Sequence, residues 1–269
     1  MNRIDLQFKK LRRQKKKAFI AFITAGDPDL KATKDLVLSF AKAGVDVIEL
    51  GVPFSDPLAD GPTIQASSQR ALRKGVALSK IFKIVQEIRR TSQIPIVLMS
   101  YYNPIFHFGE DRFVAKAQKS GVDGVIIPDL PPEEAESFIR MARKNDFATI
   151  FFLSPTTTRN RLRRIVRVST GFIYYVSLTG ITGARKRLPE NIFQNVKIAK
   201  AQTPKPICVG FGVSRPKQVR KILKVADGVI VGSAIIDQIV KNAGRWDLVK
   251  NVTDFVRRLA HVSKGSFIQ

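Results

Sequence analysis

Two carboxylates near the second apolar run of the chain are its strongest candidates for chemistry. Glu49 lies near the C-terminal end of the apolar residues 45–50, and Asp60 follows in the next loop. A carboxylate in an apolar strand is costly to bury unless it is paired or protonated. A Glu satisfied by a neighbouring backbone group or an Arg is the alternative. We interpret Glu49 and Asp60 as a candidate pair for general acid–base chemistry.

The loop that joins these two carboxylates has a composition that restricts its course. Residues 51–62 contain three prolines and two glycines, and they offer Asp56 as a further acidic side chain. Pro fixes one backbone dihedral angle, and long loops of defined shape often carry function. We therefore expect this loop to be a catalytic or docking element.

Glycines recur after three later apolar runs, which indicates a bound phosphate group. The three segments are residues 179–185, 210–214 and 232–235. Glycine lets backbone N–H groups approach an anion, and the N-terminus of a helix adds a favourable dipole. In β/α barrels, phosphate is often held by the loops after the seventh and eighth strands. Tight turns alone would explain any one of these segments, but their succession predicts a phosphorylated substrate.

Eight apolar runs alternate with amphipathic segments, and these elements must position the candidate residues. The runs are rich in Val, Ile and Phe, as in parallel strands buried on both faces. They are residues 19–24, 45–50, 94–100, 124–128, 148–153, 172–177, 206–210 and 228–231. This alternation predicts an α/β fold, a (β/α)8 TIM barrel with its active site at the C-terminal ends of the strands.

An open doubly wound sheet is the alternative fold, but its phosphate loop should follow the first strand. Residues 25–28 are Ala-Gly-Asp-Pro and do not match the G-x-G-x-x-G pattern. We expect residues 1–269 to form a single domain. An N-terminal helix with Ile4, Phe8 and Leu11 on one face should cap the barrel.

The charge of the chain is strongly positive, at +24 from 46 Lys and Arg against 22 Asp and Glu. Two basic clusters stand out, at residues 9–17 and 159–167. Nucleic-acid-binding surfaces usually interleave aromatic residues with basic ones, and neither cluster does so. We therefore favour a solvated basic surface over an RNA-binding barrel, for which a steep salt dependence would be the mark.

The few cysteines and histidines argue against disulfides and metals. Cys208 is the only cysteine, and His107 and His261 are the only histidines. Neither histidine has a suitably spaced partner, so we expect no metal site. No apolar run reaches the roughly 20 residues that span a membrane. We expect a cytoplasmic protein, since a reducing compartment suits a single thiol.

The segment IELGVPFSDPLADGPTIQ, residues 48–65, resembles the signature of the tryptophan synthase alpha chain family. Supporting stretches are residues 21–28, 101–104, 124–131, 180–185, 210–213 and 231–234. The resemblance extends from about residue 4 to about residue 262. It implies a retro-aldol lyase that splits indole-3-glycerol phosphate into indole and glyceraldehyde 3-phosphate.

The resemblance also implies roles for individual residues. Glu49 would protonate indole C3, Asp60 would stabilise charge on the indole nitrogen, and Thr182 would hold Asp60 in the closed state. Backbone groups would bind phosphate at Gly183, Phe211, Gly212, Gly232 and Ser233. The indole would lie among Phe22, Met99, Tyr101, Ile127, Tyr174 and Phe211.

The family works with a pyridoxal-phosphate-dependent beta chain in an α2β2 tetramer, and the alpha chain itself carries no cofactor. Asp56 would face that partner. Two other functions stay open from the residues alone. One is an isomerase of a phosphorylated sugar or aminosugar, which should lack the loop of residues 51–62. The other is an inactive barrel kept as the allosteric partner of a beta chain, against which the intact Glu49 and Asp60 argue.

Overall fold

The computed structural model describes residues 2–176, 191–210 and 212–265. Its strands are β1 (Ala18–Thr24), β2 (Val47–Gly51), β3 (Ile96–Met99), β4 (Gly124–Ile126), β5 (Ala148–Ile150), β6 (Phe152–Leu153), β7 (Ile173–Val176), β8 (Ile207–Gly210) and β9 (Gly228–Val231). Its helices are α1 (Arg3–Arg13), α2 (Leu30–Lys42), α3 (Pro62–Arg73), α4 (Leu78–Arg89), α5 (Tyr102–Phe108), α6 (Glu110–Ser120), α7 (Glu136–Lys144), α8 (Arg159–Val168), α9 (Asn191–Ala201), α10 (Pro216–Leu223), α11 (Ser233–Asn242) and α12 (Leu248–Ser263). Within the described ranges, no helix combines the length and the apolar character needed to cross a membrane.

The strands form one parallel sheet that closes into a barrel. β1 pairs with both β2 and β9, and pairing continues outward from each of them to β4 and to β7. The predicted fifth strand is divided at Phe151, so that β5 pairs with β4 and β6 pairs with β7. Because β5 and β6 together count as one strand, the ring has eight strands. The prediction of a (β/α)8 barrel is confirmed.

Two layers of apolar side chains hold the barrel together. The larger layer lies between the strands and the surrounding helices. The smaller one fills the barrel interior and includes Ile20, Val47 and Phe172. Alternate residues of a strand point to opposite sides of the sheet, so each strand serves both layers.

Helix α1 closes one end of the barrel interior. Ile4, Phe8 and Leu11 from one face of this helix join the inner layer. The Asn2 side chain accepts a hydrogen bond from Ile4 N–H at 2.9 Å and so caps the helix. Its amide group donates to the backbone oxygens of Asp123, at 2.6 Å, and Asp146, at 2.8 Å. The helix is thereby tied to the N-terminal ends of β4 and β5.

Three aspartates repeat one contact at the N-terminal ends of strands. Asp46 accepts a hydrogen bond from Phe19 N–H at 2.8 Å, and Asp123 accepts one from Ile96 N–H at 2.8 Å. Asp227 accepts one from Ile207 N–H at 3.0 Å. Each aspartate lies just before one strand and holds the start of the neighbouring strand. These contacts fix the relative register of strands, on which the positions of the residues at the other end depend.

Candidate active site

A cavity of about 750 Å³ opens at the C-terminal ends of the strands and contains both candidate carboxylates. Its walls come from most of the strands and the loops that follow them. They are formed by Phe22, Glu49, Leu58, Ala59, Asp60, Ile64, Met99, Pro128, Phe152, Ser154, Thr156, Thr157, Thr158, Arg161, Tyr174, Val176, Gly210, Gly212, Val213, Ile230, Gly232, Ser233 and Ala234. The cavity is large enough for a small organic substrate, since ligand pockets usually have about 300–1,000 Å³.

The Glu49 carboxyl group is buried inside the barrel. It lies in register between Phe22 of β1 and Val97 of β3, and it is 1% exposed. Neither of its carboxylate oxygens has a hydrogen-bond partner among the described residues. Burial, with a smaller contribution from the charge of Asp60, raises the pKa of Glu49 from 4.5 to about 8. The carboxyl group is therefore protonated at neutral pH and can act as an acid.

Asp60 lies in a different environment from Glu49. Tyr101 contacts both the Asp60 carboxylate and the backbone of the preceding residue. The Tyr101 hydroxyl donates a hydrogen bond to Asp60 Oδ2 at 3.2 Å and accepts one from Ala59 N–H at 2.9 Å. The Tyr101 ring also stacks on Phe54, with centroids 5.2 Å apart. Burial raises the pKa of Asp60 from 3.8 to about 6, and the Tyr101 hydrogen bond opposes that rise. At neutral pH, Asp60 is therefore largely ionised while Glu49 is not.

Helix α3 holds the far end of the Asp60 loop. The helix begins at Pro62, and Gln65 on its first turn donates to the backbone oxygen of Asp60 at 2.8 Å. Arg70 and Ser67 on the same helix bind the buried Asp27 carboxylate, at 2.7–2.9 Å for Arg70 and 2.5 Å for Ser67. Because Asp27 follows β1, these contacts anchor α3 to the rim of the barrel and restrain Asp60.

Aromatic side chains form the apolar walls of the cavity, and glycines make room for them. A Cβ atom at Gly210 would lie 2.3 Å from the Tyr174 hydroxyl, and one at Gly51 would lie 2.7 Å from the Phe22 ring. The rings of Phe152 and Tyr174 lie 4.9 Å apart at a tilt. These glycines thus leave space for flat apolar walls on either side of Glu49, which suit a planar aromatic ligand.

The start of helix α11 supplies backbone donors to the same cavity. Ser233 and Ala234 are in the first turn of this helix, where N–H groups have no acceptor one turn earlier. Gly232 immediately precedes the helix, and all three residues line the cavity. Gly212 lines the same cavity and has a positive φ of 47°, a backbone conformation that favours glycine. This end of the cavity is suited to a phosphate group.

The structure brings together most of the residues predicted from the sequence, with some exceptions. Phe22, Met99 and Tyr174 line the cavity with the two carboxylates, and Tyr101 contacts Asp60 rather than the open space. Thr182, Gly183 and Phe211 lie outside the described residues.

The structure places Ile127, expected beside the indole, in the layer between strands and helices, where it lines a separate small cavity. Its neighbour Ile126 belongs to the inner layer. The physical reason is the pleat, which turns adjacent residues to opposite faces. Asp56 is exposed on the loop and does not line the cavity, and its contact with a partner stays a prediction.

One polar wall of the cavity was not predicted from the sequence. Ser154, Thr156, Thr157, Thr158 and Arg161 line it, at the end of β6 and the start of α8. Thr158 caps α8 through Arg161 N–H, and the Arg161 guanidinium lies 3.6 Å from Glu133. The position of these residues directly after the fifth predicted strand was the available signal, because active-site loops of barrels follow the strands.

Metal-ligating side chains are not grouped in the part of the chain that the structure describes. No three His, Cys, Asp or Glu residues there lie close enough together to hold a metal ion.

Comparisons of the sequence with known proteins point to one family. The family profile described as tryptophan synthase alpha chain matches residues 8–264. A tryptophan synthase alpha chain from Geotalea daltonii is 54% identical over 245 residues, which are 91% of this chain and 93% of the relative. One from Caldanaerobacter subterraneus subsp. tengcongensis is 46% identical and covers 97% of this chain and 100% of its own.

Solved structures agree with these relatives. Tryptophan synthase subunit alpha from Legionella pneumophila has a TM-score of 0.91 and 38% identity, with 97% of this chain and 98% of the other covered. A chain from the tryptophan synthase α2β2 complex of Pyrococcus furiosus has a TM-score of 0.86 and 43% identity, with 91% and 99% covered. The similarity thus spans the barrel as a whole.

The raised pKa of Glu49 predicts a pH-dependent stability. The folded protein holds the Glu49 proton more tightly than the unfolded chain does, so the free energy of unfolding should fall as pH rises from about 4.5 to about 8. The scale is about 1.4 kcal/mol for each pKa unit of the shift. In Glu49→Gln the part of this fall between about pH 6 and 8 should be absent, since Asp60 contributes only up to about pH 6, while Glu134→Gln, at an exposed position, should retain it. Urea unfolding of the wild type and of both variants from pH 5 to 9 measures this dependence. Parallel plots of unfolding free energy against pH for wild type and Glu49→Gln would contradict the raised pKa of Glu49.

Proposed function

This chain belongs to the tryptophan synthase alpha chain family, and we propose that it cleaves indole-3-glycerol phosphate in its barrel with Glu49 as acid–base residue and Asp60 as electrostatic partner. The reaction breaks the carbon–carbon bond between the indole ring and its side chain and releases indole and glyceraldehyde 3-phosphate. The observation that carries the assignment of roles is the separation of the two pKa values, about 8 for Glu49 and about 6 for Asp60. A sugar isomerase is not favoured by any observation of the site.

Glu49 supplies the proton that makes the carbon–carbon bond breakable. Protonation of indole C3 places positive charge on the ring, and the bond from C3 to the side chain can then release its electron pair back into the ring. The hydroxyl group on the side-chain carbon loses its proton as that carbon becomes the aldehyde of glyceraldehyde 3-phosphate. This proton returns to Glu49, so the residue ends the cycle protonated and the reaction is balanced.

Asp60 stabilises the charge that protonation creates. The positive charge of a C3-protonated indole is shared by the ring nitrogen, whose N–H group becomes a stronger donor. An ionised carboxylate at the edge of the apolar cavity would accept that hydrogen bond and stabilise the charge. The Tyr101 hydrogen bond favours the ionised form of Asp60 and holds one of its oxygens in place.

The phosphate group would be held at the opposite side of the cavity by Gly212, Gly232 and Ser233. These residues offer backbone donors and the dipole of α11 rather than charged side chains. The indole would then lie between the aromatic walls of Phe22 and Tyr174, which places its C3 atom toward Glu49. Gly183, Phe211 and Thr182 would complete the site from the segments outside the described residues.

A beta chain that holds pyridoxal phosphate is the expected partner, in an α2β2 assembly, and the alpha chain needs no cofactor for the steps above. Support comes from the Pyrococcus furiosus relative, which was solved as an α2β2 complex. Asp56 and the neighbouring Leu58, which is 94% exposed, lie on the loop that ends at Asp60. A partner that contacts this loop would also influence the position of Asp60. We expect this assembly in the cytoplasm, where Cys208 would remain reduced.

The acid–base roles predict a bell-shaped pH dependence of turnover. The rate should rise as Asp60 ionises near pH 6 and fall as Glu49 loses its proton near pH 8. Glu49→Gln should lower turnover by at least about a hundredfold, the scale of general acid–base catalysis, while substrate still binds. Indole release measured from pH 5 to 9 tests both points. Turnover within a few-fold of wild type would remove Glu49 from the mechanism.

The phosphate site predicts that one backbone N–H group contributes to binding. Ser233→Pro deletes this donor at the first position of α11, where proline is compatible with a helix and follows a glycine. Affinity for glyceraldehyde 3-phosphate should fall by roughly tenfold or more, as for a lost hydrogen bond to a charged group. Ser233→Ala is the matched control, because it removes the same hydroxyl and keeps the N–H group. Equal affinities of the two variants in isothermal titration would overturn the site.

The partner loop predicts activation by a beta chain. Indole release should be low for the chain alone and should increase on addition of a beta chain, since loop closure completes the site. Asp56→Ala should reduce this activation more than the basal rate, because the Asp56 side chain is exposed and outside the cavity. A titration of indole release against the beta chain measures both quantities. The same activity with and without a beta chain that binds would show that this lyase acts alone.

A further inference from the structure

A second cavity, of about 620 Å³, lies at the opposite end of the barrel from the active site. It is formed where the C-terminal end of α1 passes the turn that leads into β8. Its walls are Phe8, Leu11, Arg12, Lys15, Lys16, Lys17, Lys200, Thr203, Pro204, Lys205, Pro206 and Asp227. The residues just before β1, β8 and β9 all contribute, so this cavity belongs to the N-terminal ends of the strands.

The walls of this cavity carry a large excess of positive charge. Six of the lining side chains are Lys or Arg, and Asp227 is the only carboxylate among the lining residues. Asp227 lies 2.5 Å from Lys200 Nζ and 3.5 Å from Lys17 Nζ, so one anion serves two cations. Like charges brought into one concave surface repel each other and attract anions from solution.

The remaining cations have neutral partners or none. Lys205 donates to the backbone oxygens of Val166 and Ser169, both at 2.5 Å. Arg12 donates to the Pro204 oxygen at 3.0 Å. The amino groups of Lys15 and Lys16 contact no side-chain or backbone acceptor within the described ranges. These two lysines are therefore available to an anionic ligand.

Partial burial makes the charge of this cluster harder to keep. Desolvation lowers the pKa of Lys17, opposed by the attraction of Asp227, and it lowers the pKa of Lys205 as well. Asp5 is a further carboxylate that acts on Lys205, but it is itself pushed toward its neutral form by burial and by Asp146. An anion in the cavity would stabilise the charged lysines that the chain's own carboxylates stabilise only in part.

The backbone at Lys15 adopts an unusual conformation for a residue other than glycine. Lys15 N–H donates to Arg12 O and Lys16 N–H donates to Leu11 O, which is the pattern of a Schellman motif at the end of α1. The position of Lys15 in this motif has a φ of 54°, in the left-handed region where glycine is the favoured residue. Strained non-glycine residues occur more often at functional sites than elsewhere.

We propose that this N-terminal cavity binds a small diphosphate or phosphate compound through Lys15, Lys16 and the neighbouring lysines. The lysine ammonium group binds phosphate as a point charge with three donors, and several of them together match an anion with more than one negative charge. The C-terminal dipole of α1 disfavours an anion here, so side chains rather than backbone N–H groups have to provide the attraction. This arrangement differs from the phosphate side of the active site, which relies on backbone donors.

Inorganic pyrophosphate is the probe for the test, with binding located by amide chemical shifts of the full-length protein. Titration should move the amide signals of Lys15, Lys16, Lys17 and Lys205. Lys16→Glu should raise the dissociation constant for pyrophosphate by roughly tenfold or more, since it reverses a charge in direct contact with the anion. Lys15→Gly should also weaken binding, while its melting temperature stays the same or rises because glycine relieves the left-handed strain. A purely structural role for Lys15 would leave binding unchanged in this variant.

The control is Lys119→Glu on α6, which makes the same change in net charge at an exposed position outside the cavity. Pyrophosphate affinity should be retained in this variant. Equal weakening by Lys119→Glu and Lys16→Glu would overturn the site in favour of a general effect of net charge. Shifts confined to Ser233 and Ala234 would overturn it in favour of the active site alone. Basal indole release should be the same in Lys16→Glu and wild type, which separates this test from that of the proposed function.

Discussion

The burial of the Glu49 carboxyl group among apolar side chains is the constraint on which the rest of the active site depends. An ionised carboxylate in this position would lose its hydration without gaining a hydrogen bond from any residue that the structure describes, and the barrel therefore favours the protonated acid. A protonated carboxylic acid at neutral pH is the reagent that protonation of an aromatic carbon requires. The burial that disfavours an ionised Glu49 thus also keeps it in the protonated form that can donate a proton. The packing of the closed barrel offsets the free-energy cost of burying this carboxyl group.

The closed barrel provides this environment because the strands on either side of β2 place apolar residues in register with Glu49. Phe22 and Val97 flank it in register, and the contacts of Asp46, Asp123 and Asp227 hold that register from the other end of the strands. Asp60 needs the opposite environment, at the cavity edge with a donor that favours its charge. The long loop after β2 delivers it there, so one strand and its loop supply two carboxyl groups with different protonation states.

The two ends of the barrel treat anions by different physical means. At the C-terminal end, the start of α11 and the glycines offer backbone dipoles that fit one phosphate in a fixed geometry. At the N-terminal end, lysines provide charge without a backbone cradle, in a cavity with one carboxylate among its lining residues. Attraction by lysines weakens with added salt more than attraction by a buried dipole does. Part of the large positive charge of the chain is thus concentrated in this N-terminal cavity, in addition to the general effect of that charge on the surface.

The alternation of apolar runs and amphipathic segments determined the barrel by itself, because strand and helix periods are properties of neighbours along the chain. The same holds for Glu49, whose charge in an apolar run marks it out, and for the glycines after the last two strands. Only the tertiary structure decided which face each residue occupies. In an apolar run buried on both sides, the sequence does not show which residues face the barrel interior. Ile127 was therefore expected in the interior, where the structure has Ile126. The pairing of Tyr101 with Asp60, the polar wall at Arg161 and the lysine-lined cavity join residues far apart in the chain. Such contacts arise only when the ring of strands closes and brings these segments together.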